Sequence, residues 1–232
     1  MNRRLGLACL AALAMAAPPV KADVITTLFN TGVDNAGSPL GGNMVDPHWS
    51  ITVNPSGSGS NAYTTVADGF PLPGAWLSNP ASAAWIQPTS GTATILAAGT
   101  YTYSTNFSLA GFDPTTASIS FRAAADNRIS GVFLNGNNVG FSYSGPGNNG
   151  EAFTAFSPEF TVSNPAFFQD GLNQLQFQVV NDPLNPDCYD PCNPTGLIVK
   201  VKGCAVPEPS TFALVGAGLG LFAFRRLRKR TV

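Results

Sequence analysis

The chain has 232 residues, 44% of them hydrophobic and only 11% charged, with a formal net charge of −1. The balance is uneven: residues 23–206 hold twelve acidic and four basic residues, a net of −8, and the cations gather at the two ends. An acidic body with four scattered bases cannot form the basic stripe that nucleic acid requires, so that class of partner is excluded.

At the start, Arg3 and Arg4 precede an apolar run over residues 5–17, and Val20-Lys21-Ala22 places small residues at positions −3 and −1 of a cleavage site. This pattern predicts a secretory signal peptide over residues 1–22, too short for an ordinary membrane span. Cys9 lies inside it and leaves with it.

Residues 23–205 read as one all-β domain. Short stretches rich in Val, Ile, Thr, Phe and Tyr alternate with Gly, Pro, Asn and Ser clusters. They predict strands over 24–29, 49–53, 63–66, 84–86, 99–109, 118–124, 129–134, 153–162, 174–180 and 197–201. Ile119-Ser120-Phe121-Arg122-Ala123 and Leu175-Gln176-Phe177-Gln178-Val179 alternate with period two, the mark of a strand covered on one face. No helical period of useful length interrupts them. The number of strands and the turn signals between them predict a β-sandwich of jelly-roll type.

One segment carries more shape. A strand ends at Asp126-Asn127, the next runs into Asn135-Gly136, and residues 139–143 can return beside it. Asn-Gly suits a type I′ hairpin because both positions accept positive φ. This strand–Asp–strand–LNG arrangement, with Gly171-Leu172-Asn173 opening a late strand, resembles the galactose-binding-like sandwich of carbohydrate-binding modules. The resemblance covers residues 101–203 and implies a sugar-binding or accessory role rather than a catalytic one.

Candidate chemistry is thin. His48 is the only histidine, and no Ser–His–acid set can be placed around it. Glu151 and Glu159 could pair as glycosidase carboxylates on a regular strand, but Pro158 breaks that regularity and favours an exposed edge. No catalytic residue and no cofactor is therefore assigned. Trp49, Trp76 and Trp85, with Tyr63, Tyr101 and Tyr103, offer flat faces on which sugars stack, against the commoner fate of Trp in a sandwich core. Trp76, between turn residues, is the expected exposed platform. Asp126 and Asn127 could contact a glycan or a calcium ion through hard oxygen donors, or simply cap a turn. Cys188, Cys192 and Cys204 remain after export. An oxidising envelope favours a disulfide, Cys188–Cys192 across a short loop or Cys192–Cys204 as its rival.

The last 27 residues, VPEPSTFALVGAGLGLFAFRRLRKRTV, hold three parts in order. Pro207-Glu208-Pro209 comes first, then an apolar run over 212–224, then a cationic cluster beginning at Arg225 and Arg226. The run predicts a single transmembrane helix, of about 20 Å at ~1.5 Å per residue and lengthened by snorkelling arginines. Its cations place the C-terminus in the cytoplasm and the body outside. The three parts over 206–232 resemble the PEP-CTERM sorting signal. That resemblance implies export, a passing anchorage in the inner membrane, and processing near the triplet by exosortase, a membrane protease and transpeptidase. The expected destination is the cell surface or the exopolysaccharide matrix. The expected role there is glycan binding, adhesion or structure, with a polysaccharide-acting hydrolase or lyase as the alternative.

Overall fold

The computed structural model describes residues 21–57, 59–68, 74–92, 94–183 and 193–208. Most of the expected signal peptide, the apolar run over 212–224, Pro209, Arg225, Arg226, Cys188 and Cys192 lie outside the described residues. The body is a compact unit, Ala22–Glu208.

The unit is all-β. Its strands among the described residues are β1 (Asp23–Val24), β2 (Val45–Val53), β3 (Asn61–Thr64), β4 (Ile86–Gln87), β5 (Gly99–Ser108) and β6 (Phe112–Asp126). They continue with β7 (Arg128–Leu134), β8 (Asn137–Asn138), β9 (Phe160–Val162), β10 (Leu172–Asn181) and β11 (Gly196–Pro207). All strand pairs are antiparallel, in the order β8-β7-β10-β5-β2-β3-β4-β11-β6-β9, with β1 added on β11. The sheet curls so that its two halves enclose one core, the arrangement of a β-sandwich. Phe121 of β6 meets Phe177 of β10 edge-on across that core, with ring centroids 5.1 Å apart.

Alternation explains the pairing. On β10, Leu175, Phe177 and Val179 are fully buried while Gln174, Gln176 and Gln178 face outward. On β5, Tyr101, Tyr103 and Phe107 point into the same core. Burying one side chain of this size contributes about 1.5–3 kcal/mol. Alternation fails at Ala123, Ala124 and Ala125 and at Leu197, Ile198 and Val199, where every residue is buried. There the sheet is covered on both faces. Ala123, Ala125, Leu197 and Val199 join the main core, while Ala124 and Ile198 pack outward against Trp76, Ala83 and Trp85.

The hairpin forms as the Asn-Gly pair requires: Asn135 and Gly136 have φ of 51° and 79°, and Leu134 pairs with Asn137. Two expected strands are shorter than their sequence suggests. The strand expected over 24–29 stops at Val24, because Ile25 and Leu28 both turn into the core. The chain beyond then supports β11 through side chains. Asn30 Oδ1 accepts from the Val201 amide at 2.7 Å, and Thr31 Oγ1 accepts from the Val199 amide at 3.0 Å. The strand expected over 153–162 is real only at Phe160–Val162, since Pro158 has no N–H for a ladder. Ser157 completes the edge instead: its amide donates to Ala123 O at 2.8 Å and its hydroxyl accepts from the Ala123 amide at 3.1 Å.

No helix among the described residues is long and apolar enough to cross a membrane. Cys204 is a free, exposed cysteine on β11.

Candidate functional site

β11 ends at Pro207, the first residue of the Pro-Glu-Pro triplet. After a bulge between Cys204 and Val206, Val206 pairs with Asp113 and Pro207 with Phe112 of β6. The Val206 amide donates to Thr116 Oγ1 at 2.8 Å, and the Glu208 amide donates to Gly111 O at 2.9 Å. Gly111 takes a φ of 82° at the tight turn between β5 and β6, which a side chain would resist. Pro207 and Glu208 are thus fastened to the sheet with no linker between body and triplet.

The second expected site is internal. Trp76 was expected to offer a ring face to a sugar; it is 3% exposed. One side of its indole meets Trp85, with centroids 4.4 Å apart. At Gly196 a Cβ would lie 2.9 Å from Trp76 Cη2, so only glycine leaves room there. The indole N–H donates to Asp126 Oδ2 at 3.0 Å. The physical reason for the burial is therefore a polar partner 50 residues away in sequence, which holds the ring inward despite its turn-like neighbours.

Asp126 is itself buried. Burial pushes its carboxyl up to about 7; the Trp76 hydrogen bond opposes that rise and the nearby Asp182 charge adds to it. Its carbonyl accepts from Thr195 Oγ1. The Asp126–Asn127 peptide bond is cis. Asn127 donates its amide to Val180 O at 3.0 Å and accepts from the Asp182 amide on Oδ1 at 2.8 Å. Asp182 in turn pairs with Arg128. The oxygens considered for a sugar or calcium are largely taken up inside the fold. No cluster of three His, Cys, Asp or Glu suited to a metal occurs among the described residues.

The other candidates are scattered. His48 stacks on Phe29, with centroids 3.6 Å apart and planes 4° from parallel. Glu159 forms an exposed ion pair with Lys202 at 3.0 Å, and Glu151 accepts from Asn149 at 2.8 Å. Trp49, Trp85, Tyr101 and Tyr103 are core, and of the aromatic residues considered for sugar stacking only Tyr63 is partly exposed.

Sequence reasoning missed an open depression of about 330 Å³ lined by Asn106, Asn135, Gln169, Leu172, Asn173 and Gln174. Its floor is self-satisfied: Asn135 Nδ2 donates to Asn173 Oδ1 at 2.7 Å, and Asn173 Nδ2 donates to Gln169 O at 2.8 Å. At its rim Asn106 and Gln174 face one another across β5 and β10. The outward glutamines of β10 were the signal in the sequence that could have found it.

No curated protein matches the chain. Residues 205–229 do match the PEP-CTERM protein-sorting motif, the signal of exported proteins handled by exosortase, and its first residues are the paired end of β11.

Proposed function

We propose that this exported protein is cut from its C-terminal anchor by exosortase and delivered to the cell surface or the exopolysaccharide matrix. There its β-body serves a non-catalytic role, binding glycan in adhesion or matrix assembly. The observation that carries the reading is the sorting motif over residues 205–229, continuous with the last strand of the folded body. The separation of Glu151 and Glu159 favours binding over hydrolysis: each is exposed and engaged with a different neighbour. A low charge density and outward faces rich in amides and hydroxyls suit hydroxyl-bearing ligands.

The test is to express the full chain in a host that carries the sorting machinery, fractionate the cells, and apply the recovered protein to a glycan array. Surface or matrix recovery with glycan retention supports the reading. Retention in the cytosol overturns the sorting half. Recovery at the surface with no glycan bound overturns the binding half, and turnover of the bound polysaccharide overturns the non-catalytic role.

A further inference from the structure

The outward face of β7, β10, β5 and β2 carries a surface that the buried Trp76 cluster cannot supply. On β10 it presents Gln174, Gln176 and Gln178, about 6.8 Å apart along the strand. Their register partners on β5, one strand spacing of about 4.8 Å away, are the exposed Asn106 and the buried Ser104 and Thr102. None of these positions is ionisable. Along β7, β10 and β5 charge enters only at the β7 edge, with Arg128 opposite Val180, and Asp182 neutralises it.

Two details mark this face as more than a solvated surface. Phe133 of β7 stands opposite Gln176 and belongs to neither apolar cluster of the body. Two residues back on the same face is Gly131. A Cβ there would lie 3.1 Å from Phe133 Cε2 and 3.7 Å from Gln178 Oε1. The ring therefore leans back over the bare backbone of Gly131, beside a glutamine amide, and forms a low aromatic plate on the sheet. The second detail is Ser104, flanked in register by Gln176 and Ser50. It is 2% exposed and its hydroxyl has no hydrogen-bond partner. An unpaired buried hydroxyl is destabilising, a cost that an incoming hydroxyl can offset. The side-chain amides of Gln174, Gln176, Gln178 and Asn106 likewise have no protein partner among the described residues, and the depression continues the face at its end.

We propose that this face binds an uncharged glycan chain. The Phe133 ring stacks on one sugar ring, and the glutamine amides with Ser104 exchange hydrogen bonds with its hydroxyls. The lack of net charge selects the class: an anionic polysaccharide finds only Arg128, already paired with Asp182, and meets a body of net charge −8 over residues 23–206. This rests on the glycan-binding role proposed above and assigns it a site and a ligand class.

The test uses the full chain in a zwitterionic detergent without a sugar headgroup. Binding is measured to laminarin and amylose as neutral glucans and to alginate as a polyanion. Phe133→Ala and Gln176→Glu are compared with the parent, with the thermal midpoint as the check on folding. The expected result is binding to a neutral glucan that falls at least tenfold in both variants while the midpoint holds. If Phe133→Ala lowers the midpoint, Gln176→Glu decides. Unchanged affinity in folded variants overturns the site and leaves the glycan-binding role standing. Tighter binding to alginate than to either glucan overturns the ligand class. Parent protein that binds none of the three overturns this inference; the array then decides the broader role.

Discussion

Replacing Asp126 by Asn removes the one carboxyl that burial pushes up to about 7. In the unfolded chain an aspartate titrates at about 3.9. The folded protein therefore holds this proton more tightly, and the stabilisation is fully present below about pH 4 and lost as pH rises through 7. Three pH units correspond to roughly 4 kcal/mol in all, of which about 2.5 kcal/mol falls between pH 5 and pH 8. Asp46, also raised by burial, adds a slope of the same sign, so the variant is read against the parent. Asn keeps an oxygen for the Trp76 N–H and carries no charge. Urea unfolding of residues 23–208, followed by tryptophan fluorescence at pH 5, 6, 7 and 8, measures both curves. The parent should lose stability steadily across that range, and Asp126→Asn should flatten most of the loss and be the more stable protein at pH 8. Parallel curves for the two proteins, or a parent that gains stability from pH 5 to pH 8, would refute the assignment of a buried, proton-holding carboxyl.

Other outcomes follow from the same geometry. Phe177→Ala empties the centre of the core where β10 meets β6, and should cost about 3–5 kcal/mol in urea unfolding. Thr116→Val removes the hydroxyl that accepts from the Val206 amide, at about 1 kcal/mol, and should loosen the end of β11. Hydrogen exchange should rise at Val206 and Glu208 while the amides of β10 keep their protection.

Much of the architecture was written locally. β6, β10 and the hairpin at Asn135-Gly136 could be read from period-two alternation and turn chemistry, because a strand covered on one face shows its pattern to a single sequence. The sorting triplet was legible for the same reason, since its three parts are contiguous. What escaped the sequence depends on distant partners. Ala123 to Ala125 lose alternation only because Trp76 and Trp85 cover the outer face there. Trp76 sits among turn residues, yet Asp126 draws its indole inward. The outward glutamines were visible as polar positions, but Phe133 became a plate beside them only once Gly131 left room for the ring.

The most direct test of the central claim is the intact mass of the mature protein, isolated from a host that carries exosortase. The expected mass lacks residues 1–22 and everything beyond a cut near Pro207-Glu208-Pro209, in protein recovered from the surface or the matrix. A full-length mass, in chain recovered from the cytosol, would contradict it.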